Sequence, residues 1–215
     1  MKILVTGFDP FENEPLNASW EVVRRLPDTI GGAEVVKVQI PTSFRRSGPA
    51  VRDAVVAHDP DVVVGVGQAG GRFAVTPERV AINVDDGRIP DNDDVQPIDE
   101  PIEPDGPPAY FSTLPVKAMV AAMQEAGVPA AVSNTAGTFV CNHMFYASRH
   151  LVERELPGRA TGFVHVPYLP SQVLDKPGTP SLSLDDMVTA VAAGLAAIVA
   201  YRGGDDARLV GGATH

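Results

Sequence analysis

The 215-residue chain contains one cysteine, Cys141. A lone thiol excludes an intrachain disulfide framework and any zinc cluster built from cysteines. It suits a reducing compartment, so a cytoplasmic setting is expected. Positive charge is also scarce: 17 Lys and Arg stand against 27 Asp and Glu, a formal net charge of -10. Such a surface repels nucleic acid and anionic lipid, and neither is expected as a partner. No stretch approaches the ~20 consecutive apolar residues of a membrane-spanning helix. The run Ile3-Leu4-Val5 after Met1-Lys2 is too short for the hydrophobic region of a secretion signal, and a small-residue cleavage site is lacking. No internal repeat is evident. Neither a metal nor a cofactor is expected.

What the chain does have is 44% hydrophobic residues, enough to bury one sizeable α/β core. Apolar runs of strand length alternate with helical patterns, as in a fold built around a largely parallel sheet. The runs predict strands at 2–8, 34–40, 61–67, 79–84, 130–133 and 161–168, and helices at 18–25, 48–57, 115–126, 141–156 and 184–201. Ser112-Thr113 ahead of Pro115 predicts an N-cap region with proline in the first turn, and Gly127 a left-handed stop. Ser183 with Asp186 resembles a capping box, and Gly203-Gly204 ends the last helix. One domain, 1–204, is expected, followed by a flexible tail, 205–215. Residues 85–108, rich in Asp and Pro without apolar period, read as a long loop over something, a lid or site wall. Its acidic half, 91–105, reads as solvated padding rather than a metal site.

Cys141 falls where the turn-rich segment 134–138 gives way to a helical pattern, which puts its sulfur near a helix N-terminus. There the dipole and free backbone N–H groups favour a thiolate and offer donors to an oxyanion. A cysteine between apolar neighbours is equally the pattern of a small buried hydrophobe, and position alone leaves both open. A base is sought among five histidines. His143 lies at i+2 on the helix and points away from Cys141, His150 sits on the helix body, His58 precedes a turn and His215 is terminal. His165 interrupts an apolar strand, where a polar ring must find a partner. Glu78, at the head of an apolar strand, is the candidate to orient it; a carboxylate paired with Arg72 or Arg79 is the alternative, and spacing does not decide.

Glycine supplies a distraction. Gly65-Val66-Gly67-Gln68-Ala69-Gly70 satisfies G-x-G-x-x-G after a strand, but Pro77 and a further strand follow where a dinucleotide turn needs a long helix. A tight turn beside a small ligand is the better use of these glycines. Two other readings therefore stand at this point: an α/β module binding a nucleotide or metabolite with Cys141 as packing, and a different thiol or nucleoside-cleaving hydrolase.

Seven segments in order resemble those of pyroglutamyl peptidase type I, also called pyrrolidone carboxyl peptidase. They are Thr6-Gly7-Phe8-Asp9-Pro10-Phe11 followed by Asn17; Gly67-Gln68-Ala69-Gly70-Gly71-Arg72; Glu78-Arg79-Val80-Ala81-Ile82-Asn83; Arg88-Ile89-Pro90-Asp91-Asn92; Tyr110-Phe111-Ser112-Thr113-Leu114-Pro115; Ser133-Asn134-Thr135-Ala136-Gly137-Thr138-Phe139-Val140-Cys141-Asn142; and His165-Val166-Pro167-Tyr168-Leu169-Pro170. The resemblance implies a single-domain, three-layer α/β/α sandwich and a cysteine peptidase releasing N-terminal pyroglutamate through a thioester. It places a triad on Cys141, His165 and Glu78. It implies ring-binding aromatics at Phe8 and Phe11, with Asn17 and the backbone around Gln68 and Val140 lining the same pocket and Arg88 supporting the oxyanion loop. Its partners would be peptides or small proteins beginning with pyroglutamate, and its assembly a homo-oligomer, dimer or tetramer. The chain departs from the family at Glu12-Asn13, where two glycines often stand.

Overall fold

The computed structural model describes residues 1–12, 14–201 and 204–212. Among these residues eight strands, β1 (Lys2–Phe8), β2 (Thr29–Ile30), β3 (Ala33–Ile40), β4 (Val62–Gln68), β5 (Thr76–Pro77), β6 (Val80–Ile82), β7 (Ala109–Phe111) and β8 (Ala160–Val166), accompany five α-helices. The helices are α1 (Ala18–Val23), α2 (Ser47–His58), α3 (Val116–Glu125), α4 (Val140–Glu155) and α5 (Leu184–Tyr201). The main sheet runs β2-β3-β1-β4-β8-β5, and β6 pairs with β7 apart from it. Its centre is parallel, β3-β1-β4-β8, and its edges β2 and β5 are antiparallel.

Side-chain alternation sorts the core into two layers. Ile3 and Val5 of β1, Val62, Val64 and Val66 of β4, and Val164 and Val166 of β8 face one way, against α1, α3 and α5. Leu4, Phe8, Val63 and Phe163 face the other, against α2 and α4. Being covered on both faces is why the central strands read as continuous apolar runs. Helix α5 is long and apolar enough, by length and composition, to cross a membrane, which the run-length expectation had excluded. Here it is a core helix: Met187, Ala190, Val191, Gly194, Leu195, Ala197 and Ile198 are buried.

Some expectations are revised. Residues 130–133 form no strand, only the isolated bridges Val75↔Ala130 and Glu78↔Ser133. The strand expected at 79–84 is shorter, β6 covering Val80–Ile82 only, and Glu78 lies ahead of it, between β5 and β6. Ser112 and Thr113 do not cap α3, because their hydroxyls accept from the N–H groups of Leu114 and Thr161. The cap comes from the far end of the chain: the Asp206 carboxylate accepts from Lys117 N and Ala118 N, both at 3.0 Å. Arg79 Nη2 donates to Gly211 O at 2.8 Å, a second tie to the segment expected as a flexible tail. Gly127 does take the left-handed stop (φ 85°), and Ser183 Oγ accepts from Asp186 N. Gly203 and His215 lie outside the described residues.

The acidic loop is anchored rather than solvated padding. Asp91 is buried, and its carboxylate accepts from the N–H groups of Phe44, Asp93 and Val95. Asp86 and Thr138 exchange two hydrogen bonds, Asp86 N to Thr138 O and Thr138 Oγ1 to Asp86 O, which fastens this loop to the turn preceding Cys141.

Candidate active site

A cavity of about 320 Å³ opens at the carboxyl ends of the central parallel strands. Its wall includes Phe8 just at the end of β1, Thr42 beyond β3, Gln68 and Gly70 at and beyond β4, and Tyr168 beyond β8. This is the crevice where a doubly wound sheet changes direction: β1 has β3 on one side and β4 on the other. Phe11, Glu12 and Asn17 after β1, Asp86, Arg88 and Ile89 of the acidic loop, and Thr138, Phe139 and Cys141 at the start of α4 complete its lining.

Cys141 is the second residue of α4. The N-cap Phe139 has extended backbone and provides no side-chain cap, so no side chain competes for the first-turn N–H groups. Glycine decides how close the sulfur comes to the sheet. A Cβ on Gly67 would lie 2.8 Å from Cys141 Sγ and 2.7 Å from the Phe163 ring, and one on Gly65 would strike Phe163 and Met144. These two glycines are therefore the seat of α4 on β4, which is the physical content of the apparent dinucleotide motif. Gly67 is also the register partner of His165 on β8. Paired residues on neighbouring strands share a face, so His165 projects toward the layer that holds the sulfur. Gly67→Ala should push the sulfur out of place and lower kcat/KM by about 100-fold, a loss of the order a 1 Å misplacement brings. Steady-state rates with a circular-dichroism control check this.

The turn from β5 to β6 carries Glu78. Thr76 and Pro77 pair antiparallel with His165 and Val164, and Glu78 N donates to Phe163 O at 2.8 Å. The carboxylate then meets His165: Oε1 lies 2.7 Å from Nδ1, with Glu78 0% and His165 3% exposed. Arg72 Nη1 donates to the same oxygen at 2.6 Å, and its Nη2 donates to Thr135 O. The two alternatives left by the sequence are thus both present on one carboxylate. Burial acts to raise the Glu78 pKa, but the His165 hydrogen bond and charge, Arg72 and Ser133 hold it below the usual carboxylate range. An ionised carboxylate only accepts, so His165 Nδ1 carries the proton and Nε2 is left with its lone pair.

Burial pushes the His165 pKa below its ordinary 6.5, with Glu78 opposing. It pushes the Cys141 thiol up to about 12, Glu78 adding to the rise and Arg72 opposing it. The helix start was expected to favour a thiolate; burial of the sulfur acts against that expectation.

The remaining candidates fall as follows. Phe8 and Phe11 line the cavity, the Phe11 ring tilted against that of Phe139 with centroids 5.3 Å apart. Asn17 is the N-cap of α1, its Oδ1 accepting from Ser19 N and its Nδ2 donating to Asp9 O. The Val140 side chain is fully buried in the core beneath α4 and is absent from the cavity wall. Arg88 stands exposed at the rim, its guanidinium 3.8 Å from Glu12. Glu12 itself has φ 56°, the left-handed conformation that explains why glycines suit this position; Asn13 lies outside the described residues. Two of the other histidines have other partners: His143 Nδ1 is 2.7 Å from Asp85 and His150 Nδ1 is 3.0 Å from Tyr110 Oη. Sequence reasoning missed Thr42, Ile89, Thr138 and Phe139 in the wall, because residues lining a crevice from separate loops share no spacing.

A lone cysteine at a helix start, a buried His–Glu pair on the facing strand and an adjoining apolar crevice are the parts of a thiol hydrolase on an α/β/α sandwich. Comparison with known proteins agrees: residues 1–201 match the family model described as pyroglutamyl peptidase, and the chain belongs to that family. The pyrrolidone-carboxylate peptidase of Streptococcus suis is 54% identical over 215 residues, covering 100% of both chains. That of Lactobacillus johnsonii is 53% identical over the same length, again covering 100% of both. Among solved structures, pyroglutamyl peptidase I of Bacillus amyloliquefaciens superposes with a TM-score of 0.93 at 48% identity, over 96% of this chain and 99% of that one. Pyrrolidone carboxyl peptidase from Thermococcus litoralis gives 0.93 at 34% identity, over 97% and 99%.

Proposed function

We propose that this chain is a cysteine peptidase that hydrolyses the amide bond following an N-terminal pyroglutamyl residue, with Cys141 as nucleophile, His165 as base and acid, and Glu78 orienting the imidazole. The observation that carries the reading is the buried Glu78–His165 contact, 2.7 Å long, on the sheet face against which the Cys141 sulfur rests. Pyroglutamate is a lactam without a charged amine, so its site needs aromatic faces and amide-directed hydrogen bonds rather than a carboxylate. Phe8, Phe11 and Gln68 in the cavity wall fit that demand.

The thiol proton passes to His165 Nε2 as Sγ bonds to the scissile carbonyl carbon. The carbonyl oxygen takes up negative charge beside the uncapped N–H groups of α4. The tetrahedral centre collapses as Nε2 returns the proton to the leaving amine, the C–N bond breaks and a thioester remains. Water then gives a proton to Nε2 as its oxygen attacks the thioester carbon; pyroglutamate departs and the sulfur regains the proton. The leaving products are peptides or small proteins shortened by one residue. A cytoplasmic setting and a homo-oligomer, dimer or tetramer, complete the reading; the thiol that must stay reduced supports the first, and exposed Phe73, Phe111 and Leu174 supply apolar surface for the second.

The decisive test is steady-state hydrolysis of a pyroglutamyl amide beside the prolyl and glutamyl amides. Turnover of the first alone is expected; equal rates on all three, or none, sink the proposal. Protonated His165 cannot accept the thiol proton, so kcat/KM should fall with acid, its midpoint below the ordinary 6.5 because burial lowers that group. Stability follows the same sign. His165 and Glu78 both have folded pKa values below their unfolded ones, so their contribution is present above about 6.5 and 4.5 respectively and is lost as pH falls. A pH–rate profile and melting curves in acid measure the two.

A further inference from the structure

Beyond β4 the chain turns back on itself at once: Ala69 N donates to Val166 O of β8, and Arg72 N to Ala69 O. Two glycines allow the turn. A Cβ on Gly70 would strike the Tyr168 ring, and Gly71 takes φ 88°. The turn delivers Arg72 alongside β5, where its guanidinium reaches two segments. Nη1 donates to Thr76 Oγ1 and, at 2.6 Å, to Glu78 Oε1, while Nη2 donates to Thr135 O at 3.0 Å. Glu78 Oε1 is the oxygen that also meets His165 Nδ1. Because Glu78 is 0% exposed, solvent does not reach its carboxylate to replace either partner.

We propose that Arg72 is a positioning residue that acts through Glu78: held in place by Thr76 and Thr135, it pins the one carboxylate oxygen on which His165 is oriented. The inference rests on the pyroglutamyl reading above and adds the group that fixes the acid of its triad. Charge gives the contact a second consequence. A buried carboxylate whose only charged partner is an imidazole favours the imidazolium, which is no base; a guanidinium on the same oxygen opposes that. The charged groups acting on His165 are Glu78, between β5 and β6, which favours its protonation, and Arg72, from the turn after β4, which disfavours it. The same two act on Cys141 at the start of α4, Glu78 against the thiolate and Arg72 for it. The strands beside His165 set Gly67 and Thr76 against it, and neither titrates. Lysine is a poor substitute, because one ammonium lacks the planar fork that serves Glu78 and Thr135 together.

The test compares wild type, Arg72→Met and Arg72→Lys for kcat, KM and the pH profile of kcat/KM on a pyroglutamyl amide, with melting curves as a control of fold. In Arg72→Met we expect kcat on the pH plateau to fall about tenfold or more, the worth of a hydrogen bond to a charged group. Arg72 does not line the cavity, so KM should stay within about twofold of wild type. The acid limb of kcat/KM, which reports the base of the free enzyme, should move to higher pH, because the cation that disfavours protonated His165 is gone. Arg72→Lys keeps the charge without the fork; its acid limb should lie near that of wild type while kcat recovers only in part. If Arg72→Met does not fold, Arg72→Gln, a neutral donor, replaces it with the same directions expected. An acid limb that stays in place in the neutral variant, a plateau kcat within about twofold of wild type, or a loss confined to KM overturns the assignment. Wild type that turns over no pyroglutamyl amide overturns the function itself. The titration midpoint of the His165 ring, followed by NMR without substrate, then decides on Arg72: a rise in the neutral variant supports its role, and an unchanged midpoint overturns it.

Discussion

Cys141→Ala should abolish hydrolysis of a pyroglutamyl amide, lowering kcat by about 10⁵-fold or more, the scale seen when a nucleophile acting as one unit with its base is removed. The fold should survive. The sulfur sits against Gly67 and Phe163, neighbours that already pack tightly, and alanine leaves only a small void there. The melting temperature should therefore move by a few degrees at most, while initial rates with a chromogenic amide drop to background. With a single thiol in the chain, alkylation is an independent version of the same experiment: loss of activity must track modification one for one. A Cys141→Ala protein that retains wild-type rates would remove the nucleophile from the mechanism and return Cys141 to the role of a packing residue.

How much of this was legible beforehand differs between the parts. Strand β1 and helix α5 are read off with the ends they have in the fold because a doubly buried parallel strand and a long apolar helix leave unbroken signals. The 130–133 run failed because a short apolar stretch acquires strand character only from what it lies beside, and here it meets Val75 and Glu78 at single points. Among the site residues, His165 was reached by eliminating other histidines, and Glu78 stayed ambiguous between an orienting role and an ion pair. It is in contact with both partners, a situation that spacing has no means of expressing. The helix start of Cys141 was legible, but its protonation was not. How strongly burial raises the thiol depends on how deeply α4 sinks onto β4, and that is set by the absence of Cβ atoms at Gly65 and Gly67. The Asp206 cap on α3 joins residues some ninety positions apart, beyond the reach of any local pattern.

The second large effect belongs to Glu78→Gln, which preserves shape and removes charge. In the native chain the carboxylate holds His165 in the tautomer with Nδ1 protonated, leaving Nε2 free to take the thiol proton. Arg72 and His165 Nδ1 share one carboxylate oxygen, so a glutamine sets its amide oxygen in that place, where both partners still donate to it. Its NH2 group takes the position of Oε2, and the negative charge that favours a protonated imidazole is gone. The base keeps its tautomer but loses the counter-charge to the imidazolium that forms as it takes the thiol proton; the carboxylate-to-amide change in the serine-protease triad, where the tautomer is also lost, costs about 10⁴-fold in kcat, and a smaller loss, about 10²- to 10³-fold, is expected here. Alkylation should move the other way. Glu78 raises the Cys141 pKa while Arg72 lowers it, so deleting the negative charge brings the thiol down from about 12 and speeds its reaction with iodoacetamide at fixed pH. Turnover that collapses while alkylation accelerates is a signature that general unfolding or lost packing does not produce. Glu78→Ala provides the structural counterpart: it leaves the half-buried Arg72 without its counter-ion beside His165, at a cost of about 3–5 kcal/mol. That corresponds to a drop of roughly 10 °C or more in melting temperature for a chain of this size. If Glu78→Gln turns over substrate at the wild-type rate, the 2.7 Å contact is structural only, and the orientation of His165 has to come from the packing of its ring on Phe163.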